Sequence, residues 1–137
     1  MRVDEIMSTK IESVGPELSL KEAARMMRDL NIGSLPVKEK DKLIGIITDR
    51  DICCRAVAQG LDCGTTTVRE IMSEDITHCY NDQDVADAAH LMEDKHIRRL
   101  AVFTRDEAMA GFLSVDDLAR ASHDLAGEVL EAVRPLH

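Results

Sequence analysis

Two stretches of the chain, GIITDRD at 45–51 and GFLSVDD at 111–117, repeat one pattern: a Gly, apolar residues, a hydroxyl residue and, three positions later, an Asp. A hydroxyl followed at that spacing by a carboxylate is the capping-box signature of a helix start, and Thr48–Asp51 and Ser114–Asp117 both satisfy it. The same pair has the chemistry to hold a sugar diol. An ionised carboxylate is acceptor-only with two oxygens, so the cis hydroxyls of a ribose can donate to it together. The Thr or Ser hydroxyl, one turn away, can bond a sugar hydroxyl or a phosphate oxygen. Gly45 and Gly111 lie inside apolar strands, where Gly weakens pairing but lets another group approach the backbone closely. A strand running straight into a helix is expected to leave backbone N–H groups free at the positive end of the dipole. Both roles are therefore assigned to the motif: Thr48 or Ser114 starts the helix, and Asp51 or Asp117 turns outward to a ribose.

Composition narrows the partners. Apolar residues make up 45% of the 137, enough for a packed interior, but aromatics are only 2%. Leu, Ile, Val, Met and Ala must fill that interior, and aromatic platforms for single-stranded nucleic acid are excluded. The net charge of −9 opposes a phosphate backbone as the main partner, so no nucleic acid is expected. No apolar run approaches the ~20 residues of a membrane span, and MRVDEIMSTK lacks the apolar segment of a secretory signal. The protein is read as soluble and cytoplasmic. Cys53, Cys54, Cys63 and Cys79 are then expected to be reduced thiols, mostly buried and structural. Their spacing matches no zinc pattern, and no metal is assigned.

The elements that must position the two motifs are themselves duplicated. A shift of 65 residues lays Val3–Val37 on Val68–Val102 with thirteen of 35 positions identical, including VDEIMS on VREIMS. One extra residue in the loop 103–110 changes the offset to 66, where Gly45, Thr48 and Asp51 meet Gly111, Ser114 and Asp117. Each copy predicts an apolar-faced turn and then a brief strand, near Ile11–Val14 or Ile76–Cys79. A helix near 19–31 carries Leu20, Ala23, Ala24, Met27 and Leu30 at helical spacing. It opens on Ser19 with Glu22 three residues on; Asp84 holds the cap in the second copy. Two short strands follow, SLPV and KLIGIIT or RLAV and AMAGFLS, and then a second helix, 49–59 or a longer 115–133. The boundaries read 1–60 for the first repeat, 61–67 for a linker, 68–120 for the second repeat and 121–137 for a helical extension. Thr67 with Glu70 opens the second copy with another capping-box pattern. The extension, with Leu118, Ala121, Leu125, Val129 and Val133 on one face, is assigned to packing or a dimer surface, and Met7, Met27, Met72 and Met92 to the core. Half a repeat cannot bury both faces of its sheet, so the copies are expected to pack on each other.

VDEIM and VREIM, IGSLPV and IRRLAV, and above all the two Gly-to-Asp motifs make the chain resemble a tandem pair of CBS domains, a Bateman module, over nearly its full length. The resemblance implies an α+β fold of two β-α-β-β-α repeats, packed through their sheets as one module with a pseudo-two-fold axis and two clefts. It also implies a homodimer that binds AMP, ADP, ATP, NAD(H), S-adenosylmethionine or a related adenosyl ligand as a regulatory ligand, with no cofactor required and a separate protein as the regulated partner. On this family pattern, Thr48, Asp51, Ser114 and Asp117 would hold ribose. Ser13, Val14, Leu35, Pro36, Ile47, His78, Cys79, Leu100, Ala101 and Leu113 would form the adenine-side walls. Arg98 and Arg99, at the start of the second strand, and Arg50, inside the first motif, are the phosphate candidates. Ala101 stands where the family usually has Pro, as the first copy does at Pro36, so the two clefts are not equivalent. The sequence presents no nucleophile with a paired base, no Walker-type loop and no metal cluster, and no catalytic role is assigned. The alternative is a ligand-free interaction module whose motifs serve only as helix caps.

Overall fold

The computed structural model describes residues 1–133. The last four residues of the expected extension therefore lie outside the described residues. The fold is α+β and divides into two compact units, Ile11–Ile76 and Met1–Lys10 with Thr77–His137. The compact units are cut differently from the sequence repeats, because the turn that opens each repeat belongs to the other copy's unit.

In the unit 11–76, the apolar i, i+3, i+7 spacing of Leu20, Ala23 and Met27 gives α1, Leu20–Leu30, one buried face. Ser19 Oγ accepts the Glu22 N–H at 3.2 Å and starts the helix. Asn31 ends it in the left-handed region (φ 55°), a conformation Asn tolerates better than most residues. β1, Ser34–Glu39, and β2, Lys42–Thr48, form an antiparallel pair. Period-two alternation turns Leu35, Val37 and Ile47 inward, and they join Leu20, Ala23 and Met27 in one core. The strand predicted near Ile11–Val14 is reduced to a single parallel bridge between Val14 and Val37. β2 runs directly into α2, Asp49–Asp51, which continues as a π-helical segment, Ile52–Val57. After the linker, α3, Val68–Ile71, delivers Ser73 to the free edge of β2. There Ile46 and Ser73 exchange both backbone hydrogen bonds at 2.9 Å.

The other unit repeats this plan. β3, His78–Tyr80, lies parallel to β4, Arg99–Phe103, which pairs antiparallel with β5, Met109–Ser114. α4, Val85–Lys95, is capped by Asp84, whose Oδ1 accepts the Ala86 N–H at 2.9 Å. Here the N-terminal turn, Val3–Glu5, plays the part of α3. Val3 is fully buried, and Ser8 exchanges backbone hydrogen bonds of 2.8 and 3.0 Å with Phe112 on β5. The helix predicted over 115–133 is two helices, α5, Val115–Ala121, and α6, His123–Val133. Ser122 breaks them apart in an extended conformation, and its Oγ accepts the Leu125 N–H to start α6. Leu118, Val129 and Val133 are buried as their spacing predicts.

The backbone pairing explains both motif glycines. A Cβ on Gly45 would sit 2.9 Å from the Ser73 carbonyl oxygen, and one on Gly111 only 2.3 Å from that of Ser8. The segment that approaches each Gly is thus VREIMS or VDEIMS, through the Ser backbone in both and, at Gly45, also through the Met72 sulfur, 2.7 Å from such a Cβ.

Candidate functional site

The antiparallel register places Ser34 opposite Thr48. The helix start is pinned to the same loop, since the Asp49 N–H donates to the Gly33 carbonyl at 3.0 Å. Thr48 Oγ1 accepts the Asp51 N–H, and Asp51 Oδ2 accepts the Thr48 N–H, each at 3.0 Å. The Arg50 N–H is held by Asp49 Oδ1 at 2.8 Å. The first turn therefore has its N–H groups satisfied, which corrects the expectation of free donors there. Asp51 also closes the cap rather than turning wholly outward. It does so with one oxygen: Oδ1 takes no partner among the described residues, and the side chain is half-buried at the surface. Cys54, one helical turn on, is exposed and offers this carboxylate no charge.

The second motif has the same frame. Arg99 pairs with Ser114, and the Val115 N–H donates to the Arg98 carbonyl at 3.0 Å. Ser114 and Asp117 exchange cap hydrogen bonds of 2.9 and 3.2 Å. The difference lies at the remaining oxygen. Arg120, which takes the place of Cys54 at the offset of 66, donates from Nη2 to Asp117 Oδ1 in an ion pair. The Asp117 side chain is only 7% exposed, whereas Arg120 is 73% exposed. Asp117 and Arg120 stand three residues apart, a helical neighbour spacing readable in the sequence, but Arg120 was not among the assigned residues.

The residues assigned to the walls lie at different depths. Leu35, Ile47, Leu100 and Leu113 are at most 1% exposed and belong to the two cores. Strand alternation turns their side chains into those cores. Val14, Pro36, Cys79 and Ala101 are also buried. Of the residues assigned to the walls, Ser13 is exposed and His78 half-buried. Val14 remains beside β1 through the Val14 N–H to the Pro36 carbonyl at 3.0 Å. The His78 ring packs on Phe103 and Tyr80, with centroids 5.0 and 5.6 Å apart.

The phosphate candidates Arg50, Arg98 and Arg99 are exposed and make no ion pair among the described residues. Arg25, Arg28, Arg69 and Arg105, by contrast, are all paired with carboxylates. In a chain of charge −9, a cation left unpaired beside a motif is available to an anion. All four cysteines are free thiols, but the expectation that most are buried fails: Cys53 and Cys54 are exposed, Cys63 is intermediate and Cys79 is buried. Burial pushes the Cys79 thiol up to about 11. His90 and Glu93 on α4 and Glu128 on α6 each bring one donor atom within 4.8 Å of the others. Burial raises the Glu93 carboxyl above its ordinary range, and the facing Glu128 carboxyl adds to the effect. No described helix is long and apolar enough to cross a membrane.

Comparison with known proteins accounts for the two matching frames. The CBS domain sequence pattern matches residues 3–56 and again 68–124. The CBS domain-containing protein YhcV of Bacillus subtilis is 37% identical over 130 residues, covering 93% of this chain and 91% of its own. A conserved CBS domain protein of unknown function from Thermoplasma acidophilum shares the fold, with a TM-score of 0.89 and 24% identity over 98% of this chain and 76% of that one. The CBS domain pair of protein MJ0100, solved in complex with 5′-methylthioadenosine and S-adenosyl-L-methionine, superposes with a TM-score of 0.79 at 28% identity, covering 90% of this chain and 97% of that one.

Proposed function

This chain belongs to the CBS domain family as a tandem pair of CBS domains, and from that premise we propose that it is a regulatory module that binds an adenine nucleotide or another adenosyl ligand. The observation that carries the reading is Asp51. Its Oδ2 holds the helix cap while Oδ1 has no partner among the described residues. A ribose diol supplies the donors such an oxygen accepts. Arg50, next in the chain and without an ion pair, is the partner for a phosphate, with Arg98 and Arg99 in the same role beside the second motif. Adenosyl ligands in the related MJ0100 pair support this class of ligand. The output is signalling to a separate protein. Ligand acts by preferring one of two states of the module or its complex, because only differential affinity shifts such an equilibrium. The module works as a homodimer in the cytoplasm and performs no catalysis of its own.

Thermal denaturation with AMP, ADP, ATP, NADH and S-adenosylmethionine at millimolar concentration tests the proposal. A ligand that binds only the folded state stabilises it by RT ln(1 + [L]/Kd), about 2.7 kcal/mol at one hundred times Kd. Asp51→Ala should remove the shift while the variant still folds, at a loss of about 1 kcal/mol from the cap. Absence of a shift with all five compounds refutes the proposal. One observation favours a second reading: the capping boxes are complete in both copies. A ligand-free interaction module is then left, and the same experiment decides between the two.

A further inference from the structure

We propose that the two motifs are not equivalent for a sugar diol: the first is the ribose site, and Arg120 closes the second. The inference rests on the adenosyl-binding reading above and assigns where in the chain that binding occurs. The two carboxylates have the same cap and differ in what meets the other oxygen. Asp51 Oδ1 has no partner among the described residues, and the residue one turn on is Cys54, not an arginine. Asp117 Oδ1 accepts from the Arg120 guanidinium, and its carboxylate is almost wholly shielded from solvent.

A ribose hydroxyl is a neutral donor. To reach Asp117 it must displace a cationic one, and a charge-assisted hydrogen bond is roughly twice as strong as a neutral one. The displacement would also leave a shielded carboxylate without its counter-ion, which is unfavourable in itself. At Asp51 nothing has to be displaced. The neighbouring charge points the same way: the residue just before the Asp is the exposed Arg50 in the first motif and the exposed Asp116 in the second. At that one position a phosphate is attracted in the first copy and repelled in the second. Arg98 and Arg99 give the second copy cations for an anion, but no free acceptor for a diol. One ribose-bearing ligand per chain is the consequence, and Arg120 is a specificity-determining residue.

The test is isothermal titration of the full chain with AMP, ATP, NADH and S-adenosylmethionine, taking forward the tightest binder of the four. The wild type is expected to take one equivalent per chain. Asp51→Asn, which keeps a side-chain oxygen for the cap, should weaken binding at least tenfold, and Asp117→Asn should change it less than threefold. Arg120→Gln should raise the stoichiometry to two. Because Arg120 is exposed, that variant is expected to keep the fold, and its unchanged circular dichroism checks this. The 2′-deoxy analogue of the chosen nucleotide should lose affinity at both sites of Arg120→Gln, which marks the new site as a diol site. Two equal wild-type sites, or loss of binding in Asp117→Asn but not in Asp51→Asn, would overturn the asymmetry and leave the adenosyl reading intact. No binding of any of the four compounds to wild type or Arg120→Gln would refute the adenosyl reading, and the asymmetry with it.

Discussion

Gly111 offers a direct measure of how the opening turn is held. Changing it to Ala places a methyl carbon 2.3 Å from the Ser8 carbonyl oxygen, inside any permitted contact. The obstacle is backbone, so no rotamer change relieves it. Either β5 and the Ser8 segment move apart, or the two Ser8–Phe112 hydrogen bonds of 2.8 and 3.0 Å are lost. Overpacking of this kind costs about 1–3 kcal/mol, and each backbone hydrogen bond contributes a net of about 0.5–1.5 kcal/mol. By either route a loss of about 1–3 kcal/mol is therefore expected, and more if fully buried Val3 is unseated as well. The matched control is Gly127→Ala. Gly127 is exposed in α6, and an added Cβ there meets nothing within 4 Å. In a helix interior the same methyl stabilises by roughly 0.5–1 kcal/mol. Urea unfolding followed by far-ultraviolet circular dichroism reads both variants. At roughly 4 °C per kcal/mol for a chain of this size, Gly111→Ala should melt about 4 °C or more below wild type and Gly127→Ala about 2–4 °C above it. A Gly111→Ala variant within about 0.5 kcal/mol of wild type, the ordinary range of a surface substitution, would refute the close-approach argument.

The Glu93 carboxyl makes a signed pH prediction. Burial and the facing Glu128 raise it in the folded state, so the folded protein holds that proton more tightly than the unfolded chain. Stability from this group is present below the ordinary Glu range and falls as pH rises through the raised value. Glu93→Gln should therefore melt above wild type at neutral pH and lose that advantage near pH 4, with His90, Asp94 and Glu128 as the neighbouring charges; no difference at neutral pH would contradict it. The thiols should separate kinetically. Cys53 and Cys54 are exposed and should react with Ellman's reagent in the native protein, whereas Cys79, shielded and held protonated, should react only on unfolding. Mapping the labelled peptides by mass spectrometry checks the order, and early labelling of Cys79 would count against its burial.

Much of the molecule is local chemistry and is legible in the chain itself. The apolar faces of α1 and α4, the caps at Ser19 and Asp84, and the hydroxyl–carboxylate pairs at 48–51 and 114–117 all depend on residues within a turn or two of one another, and the duplication is read by laying the chain on itself. Those parts follow from spacing alone. Tertiary structure decided the rest, because each remaining feature depends on which distant backbone or side chain arrives. Six residues of VDEIMS carry no instruction to pair with Phe112 rather than with their own copy, and only the folded chain puts Ser8 against Gly111. That Leu35, Ile47, Leu100 and Leu113 lie in the cores depends on which helices and strands pack against their side of the strands. The Ser122 break interrupts an apolar stripe that looks continuous, because a serine can start a second helix as readily as continue the first. The motif opened as a choice between cap and diol site. Sequence identified the carboxylates, and the geometry of their second oxygens, one unpartnered and one held by Arg120, distinguishes them.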